Sequence, residues 1–465
     1  MELWLMWWEI VRQLRPAVSH LQTYLWLCTC LAGMTIRRDK AGVTSYVRSL
    51  GLCGWCYDRM LDCFHSSAVD REHLARLWTS IVLGLGACHI INGRILLIGD
   101  GVKAPKEGKK MPAVKCLHQE SDSNSKPEYI MGHSCQALAV CCQALSGFFA
   151  VPLVVRIHEG IVLSNRDERT LMDKMSELIS SLAITVPLYF LGDSYYACSK
   201  IVDSLIAQSN HIVTRIRSNA VAFIPASRPR TPRRGRPKVY GDKVRLKDEF
   251  QQRDAFKKAP SPDPSERGVT ILYRSLDLLW RPVARVVRFV LVIHPVHGNT
   301  IYMTTDLSLH ALQVLAAYTL RFKIEISFRQ AIHTIGTFAY HFWMKAMAPI
   351  RRYSGNQYLH RKTEDYRAAV ARKINAYHLH LQLGAIAHGI LNHIAASAPD
   401  LVWRNFSSWI RTIRPGLPPS EMVTAMALRN SYHEFLADTH SAAPLAKFIA
   451  EKIDTAQAAP LRLCA

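Results

Sequence analysis

The stretch "YTLRFKIEISFRQAIHTIG", residues 318–336, decides how the rest of the chain is read. On a 3.6-residue period Tyr318, Arg321 and Glu325 fall at intervals of three and four, so all three share one face of a helix. Ile324 and Phe328 lie beside that stripe and place its polar groups near a packed surface. Read locally, Arg321 and Glu325 are an i, i+4 ion pair on a solvated face. The other reading, a site, needs further acids elsewhere in the chain to converge on Glu325.

Two such acids share one local context. "RILLIGDG", residues 94–101, is an apolar run ending in Gly99-Asp100-Gly101, the pattern of a buried strand entering a turn. "VPLYFLGDSYYACSKIVDSLIAQ", residues 186–208, is a second apolar strand running into Gly192-Asp193 and then a helix. A strand end aims a side chain rigidly into the crevice at a sheet's edge, where α/β folds place their sites. Each aspartate also has a local explanation: Gly-Asp-Gly is a common turn, and Asp193 can cap the helix that follows. Together with Glu325 they supply three carboxylates, enough to hold two divalent cations ~3.5–4 Å apart for an in-line phosphoryl displacement. Oxygen ligands of this kind suit magnesium, with manganese substituting.

The charge balance selects a substrate for such a centre. Lys and Arg number 58 against 36 Asp and Glu, a net charge of +22 that calls for a polyanionic partner. Nucleic acid leads; an acidic membrane surface is the alternative. The first residues, MELWLMWWEIVRQ, carry three tryptophans, but Glu2 and Glu9 interrupt them and no basic region precedes the run, which is not the pattern of a signal peptide. "YLWLCTCLAGM" at 24–34 is too short to span a bilayer. Both read as helices packed on a core or a second subunit. Cys28, Cys30, Cys53 and Cys56 offer four thiolates, but they lack the turn residues of a zinc knuckle, and the Cys53-Gly-Trp-Cys56 redox look-alike lacks a preceding βαβ unit. The cysteines read as reduced and mostly buried.

A chain of 465 residues accommodates one large core or two to three domains. Residues 1–92 read as a helical, DNA-binding region, with Arg37, Arg38, Lys40 and Arg48 either docking on phosphates or forming a solvated face. Residues 93–215 hold strand, paired strands at 145–163, a helix at 168–183, strand and helix: the first part of an α/β core with a mixed sheet. Residues 216–305 form an interruption, beginning with a basic, proline-rich arm at 226–250 and continuing as alternating antiparallel β structure over 269–306 with a turn at His297-Gly298-Asn299. Residues 306–365 complete the core with a helix starting near Leu309, and 366–465 are helical. His378, His380, His388 and His393 have no metal-ligand spacing and read as buried or neutral.

On these motifs the chain resembles bacterial insertion-sequence transposases of the DDE class, whose RNase H-like core is interrupted by a β-strand insertion. "LLIGDGVKAPKEGKKMPAVKCLHQESDSNSKPEY" is similar to the segment bearing the first catalytic aspartate and "YFLGDSYYA" to the second. Tyr318, Arg321 and Glu325 meet the signature of tyrosine, two residues, arginine, three residues and glutamate. The resemblance covers roughly residues 94–345. It implies that Asp100, Asp193 and Glu325 are the catalytic acids and ligands of two Mg2+ ions. It also implies that Tyr318 and Arg321 contact phosphates near the scissile bond, Arg321 through its planar fork.

The arm residues Arg228, Arg230, Arg233, Arg234, Arg236 and Lys238 would track the DNA backbone or minor groove, or else form a solubilising linker. Trp280 would stack on an unpaired base, or else sit in the core. The family signature continues with a lysine seven residues after the glutamate, where this chain has Ile332; Arg329, Lys323 and Lys345 are the nearby replacements. The implied activity is cleavage at the terminal inverted repeats with metal-activated water, then joining of the freed 3′ hydroxyl to target DNA. The implied setting is a homodimer on double-stranded DNA in a bacterial cytoplasm, at the nucleoid and without membrane attachment. A catalytically inactive DNA-binding descendant and another two-metal nuclease are the competing expectations.

Overall fold

The computed structural model describes residues 1–119, 127–144, 147–226, 238–437 and 442–458. Its centre is built from five strands: β1 (Arg94–Pro105), β2 (Tyr129–Ala144), β3 (Gly147–Ile157), β4 (Leu188–Gly192) and β5 (His211–Ile216). β3 pairs antiparallel with β2 and β2 with β1, while β1, β4 and β5 run parallel to one another. The spatial order 3-2-1-4-5 is an RNase H-like mixed sheet. Leu96, Leu97 and Ile98 in β1, like Tyr189, Phe190 and Leu191 in β4, are fully buried. Such unbroken apolar runs suit strands covered on both faces. Helices Leu171–Ser181 and Ser199–Ala207 make the parallel crossovers, the first opened by a reciprocal Thr170 and Asp173 capping box.

The insertion adds β6 (Val221–Pro225), β7 (Tyr240–Arg245), β8 (Lys257–Pro260), β9 (Thr270–Trp280), β10 (Arg285–His294) and β11 (Gly298–Thr304). It does not form a sheet of its own. β11 pairs antiparallel with β5 from Ile301↔Ile216 to Thr304↔Val213, so core and insertion are one continuous sheet.

The two helical regions also merge. Helices Glu2–Val11 and Leu21–Ile36 pack with Glu364–Ser397 and Glu421–Asn430. The Trp4 indole N–H donates to the Leu428 carbonyl at 2.9 Å, and that of Trp7 to the Thr35 hydroxyl at 3.1 Å. Trp78 in helix Arg71–Gly84 donates to Pro152 O at 2.9 Å and fastens this layer to β3. The tryptophan-rich start is therefore core rather than a membrane-seeking face. Among the described residues no helix is long and apolar enough to cross a membrane.

Four local expectations need correction. Asp100 does not end a strand: β1 continues to Pro105, with Asp100 opposite Ala137 of β2, so Gly99-Asp100-Gly101 is extended backbone and not a turn. After the expected turn the chain holds the end of β1 and a short strand, Lys115–His118, and residues 130–144 of β2 carry no expected element. Residues 240–245 of the expected arm are strand β7, paired with β6. Arg228, Arg230, Arg233, Arg234 and Arg236 lie outside the described residues, whereas Lys238 is described and exposed.

Candidate active site

The first two acids are aligned by register. Ile98 of β1 is the parallel partner of Leu191 of β4, so two residues further along each strand Asp100 and Asp193 come level on the same side of the sheet. Asp100 reaches this level within a long strand, Asp193 in the turn directly after Gly192. Asp193 Oδ1 accepts the Tyr195 N–H at 2.9 Å, and its carbonyl accepts the Thr214 hydroxyl at 2.8 Å, tying the turn to β5. Asp193 caps the 3-10 turn Ser194–Tyr196 rather than the helix Ser199–Ala207, whose N-cap is Cys198, and that cap fixes the carboxylate's direction. Gly99 is required beside it, because a Cβ there would lie 2.4 Å from the Phe190 ring.

The third acid arrives on a helical run packed over β3 and β1. This run is not one regular helix. It is helix Ala311–Thr319, a tight 3-10 turn at Leu320–Phe322, helix Lys323–Gln330 and a widened turn over Ala331–Ile335 that ends at Gly336 with φ +73°. Arg321 sits in the tight turn. It donates to Asp100 Oδ2 at 2.8 Å and to Glu325 Oε1 at 2.6 Å. The i, i+4 ion pair of the local reading is present, and so is the convergence of the other reading, because the same guanidinium holds the β1 acid.

Burial separates the members. The Arg321 and Asp100 side chains are 16% and 19% exposed, and Glu325 is 41% exposed. Burial raises the Asp100 pKa above the ordinary carboxylate range, with Asp193 adding to the shift and Arg321 and the Gly101 N–H opposing it. Burial also works against the Arg321 charge, but Asp100, Tyr318 and Glu325 together outweigh it and hold its pKa above the usual value. The oxygens of Asp100, Asp193 and Glu325 are not gathered within 4.8 Å of one another. Arg321 provides cationic charge between two of the three. By donor chemistry the carboxylates fit Mg2+ or Mn2+, and cations seated among them would have to displace the guanidinium.

Tyr318 is half-buried edge-on to Tyr302, with ring centroids 4.9 Å apart, and its hydroxyl pKa is raised by burial. Tyr318 and Arg321 line a cavity of about 330 Å³ that extends to Arg215, Tyr302, His294 and His297. Lys323 is half-buried within electrostatic reach of Cys141 on β2. Arg329 is exposed, and Ile332, at the position of the expected lysine, is 43% exposed. Trp280 is 6% exposed and belongs to the hydrophobic core, as its structural reading required; part of it lines a cavity beside Ser194 and Tyr195, next to Asp193.

One group was missed from sequence. Glu266, His294 and His297 bring ligand-type atoms within 4.8 Å of one another, a cluster able to coordinate a divalent metal. The signal was His294-Pro-Val-His297, whose turn brings both rings together with centroids 4.5 Å apart. Without a cation the cluster is satisfied by hydrogen bonds. The Val296 and His297 N–H groups donate to His294 Nδ1 at 3.1 and 3.0 Å. That leaves the His294 proton on Nε2, 3.1 Å from Glu266 Oε2. A metal taken at Nε2 would have to evict that proton. Glu266 also accepts from the Ser261 hydroxyl at 2.5 Å.

Comparison with known families agrees with this architecture. The description "DDE superfamily endonuclease" matches residues 26–262, and the chain belongs to that family. The match includes Asp100 and Asp193 and ends before Glu325. Among solved structures, a cryo-EM piggyBac transposase synaptic complex with hairpin DNA is similar over 93% of this chain and 76% of that one, at 11% identity and a TM-score of 0.32. No curated protein matches the chain.

Proposed function

We propose that the protein is a DNA transposase of the insertion-sequence type, cutting at the ends of its element and joining the freed 3′ hydroxyl to target DNA. The observation that carries this reading is the assembly itself: strand register levels Asp100 with Asp193, and Arg321 brings Glu325 to Asp100. Asp100, Asp193 and Glu325 would hold two Mg2+ ions, or Mn2+, which when bound activate the attacking oxygen and stabilise the leaving one. Arg321, released from its acids, would turn its fork to a phosphate beside the scissile bond, with Tyr318 lining the same approach. Lys323, Arg329, Lys238 and the arm arginines would neutralise backbone phosphates, consistent with a net charge of +22. Residues 93–215 and 306–365 would be the catalytic core, 216–305 the insertion, and 1–92 and 366–465 the flanking helical regions, with residues 1–92 binding DNA. The working species on paired inverted repeats would be a homodimer in a bacterial cytoplasm.

A catalytically inactive, DNA-binding descendant is the second reading. Two observations favour it: Ile332 at the lysine position, and an arginine already paired with two of the three acids. The deciding experiment compares the intact chain with Asp193→Asn on a labelled duplex carrying the DNA end from beside the gene, with Mg2+ and then Mn2+. Joined product from the intact chain alone supports the transposase. Equal binding with no cleavage by either protein supports the descendant, and cleavage without joining points to another two-metal nuclease.

A further inference from the structure

Cys88 and Cys142 face each other where the segment after helix Arg71–Gly84 meets the far end of β2, as antiparallel bridge partners. The flanking bonds run from the His89 N–H to the Cys141 carbonyl and from the Gln143 N–H to the Ala87 carbonyl, each 2.9 Å. That arrangement makes 88 and 142 a non-hydrogen-bonded pair. In such pairs the Cα atoms are ~4.5 Å apart and the side chains closest. Disulfides need Cα separations of ~4.4–6.8 Å, so the backbone already satisfies the requirement. The two thiols interact with each other, each shifting the other's pKa. Cys88 is partly exposed, whereas Cys142 is buried.

We propose that Cys88 and Cys142 are a reversible oxidation site, closed by peroxide to a disulfide that staples the N-terminal helical layer to the catalytic sheet. The accessible Cys88 thiolate attacks one peroxide oxygen and the O–O bond breaks, forming a sulfenic acid; the departing hydroxide takes up the proton released by the Cys88 thiol and leaves as water. The Cys142 sulfur then attacks the Cys88 sulfur, forming the S–S bond and expelling the hydroxyl as a second water. The two sulfurs lose two electrons and peroxide gains them. The order follows from the environment: interaction with the Cys142 thiol lowers the Cys88 pKa, while that same interaction and burial raise the pKa of Cys142. The more obvious redox motif fares worse. Burial pushes the Cys56 thiol up to about 11, which removes its thiolate at neutral pH.

The test is peroxide titration of the full-length reduced protein, followed by alkylation, intact mass and peptide mapping. The expected result is loss of two hydrogens, a cross-linked peptide pair containing Cys88 and Cys142, and full reversal by dithiothreitol. The cross-link should vanish in Cys88→Ser and persist in Cys53→Ser. Cys88 is partly exposed, so its serine variant tests the idea even where Cys142→Ser fails to fold. Both thiols remaining alkylatable, a different cysteine pair linking first, or over-oxidation of Cys88 with Cys142 still free would each overturn the proposal.

Discussion

Arg321 donates to Asp100 at 2.8 Å across 221 residues of sequence, and the same guanidinium holds Glu325 one helical turn away. An arginine in that place serves as a counter-charge for carboxylates that would otherwise repel in a partly dry crevice. It also competes for the oxygens a divalent cation would use.

Arg321→Ala should therefore have two effects of opposite sign. Without divalent cations, leaving Asp100 buried and unpaired should cost roughly 1–3 kcal/mol. With Mn2+ the variant should gain more in melting temperature than the parent does, because the competitor is gone. Thermal melts with and without Mn2+ measure both, and equal Mn2+ gains in the two proteins would remove the competition argument.

Asp100 gives a pH prediction. A carboxyl whose folded pKa is raised contributes stability below its unfolded value, and that contribution is lost as pH rises through the folded value. In metal-free protein, the stability difference between Asp100→Asn and the parent should move in the variant's favour as pH rises from about 4. A difference that stays flat with pH would show that Arg321 fully compensates the buried charge.

Buried histidines weaken the fold toward acid, and His133 and His380 show how. His133 Nε2–H donates to Pro112 O at 2.9 Å while Nδ1 accepts from the Tyr340 hydroxyl at 2.8 Å. His380 Nδ1–H donates to Thr337 O at 3.1 Å while Nε2 accepts from the Tyr46 hydroxyl at 2.8 Å. Both rings are neutral in this arrangement, and burial lowers both pKa values to about 3. Their stabilisation is complete above the unfolded value near 6.5 and is lost as pH falls toward 3. Denaturant midpoints should fall steadily below pH 6.5, and a His380→Gln chain should show a shallower fall.

Trp280→Ala should cost roughly 3–5 kcal/mol, as for a large buried ring. Trp280→Phe keeps much of the packing and loses the indole face. Unfolding midpoints for the pair show how much of the residue's role is structural, and cleavage by Trp280→Phe reads what remains for the cavity beside Asp193.

Arg329→Ala and Lys238→Ala each remove an exposed cation. Each should weaken duplex binding about equally for all sequences and reduce the salt-dependence slope by about one. Fluorescence anisotropy across a salt series would show this, and an unchanged slope would place that residue off the DNA.

Local signals carried the helices, β4 and the pairing of acids with strands, because each rests on a short apolar period. Asp100 stands out in the sequence for a partly wrong reason. Flanking glycines look like a turn, but Gly99 is there to clear Phe190 and Gly101 pairs with Gln136 inside an extended strand. β2 was missed because small residues and cysteines dominate it, and its burial comes from neighbours that only the fold supplies. The merger of insertion and core depends on β11 pairing with β5, a contact no local period encodes. The His294 and Glu266 cluster joins a strand end to a distant loop for the same reason. The bridge from Arg321 to Asp100 was invisible, since sequence spacing shows only its Glu325 half.

The bond from Trp4 to Leu428 also sets a timetable for biosynthesis. At ribosomal speeds of ~5–20 residues per second, Trp4 waits roughly 20–80 s for its Leu428 acceptor. During that interval the Trp4 indole lacks its acceptor, whereas Trp7 finds Thr35 within the same helical layer. A message cut short before Leu428 would yield a product with that indole N–H left open.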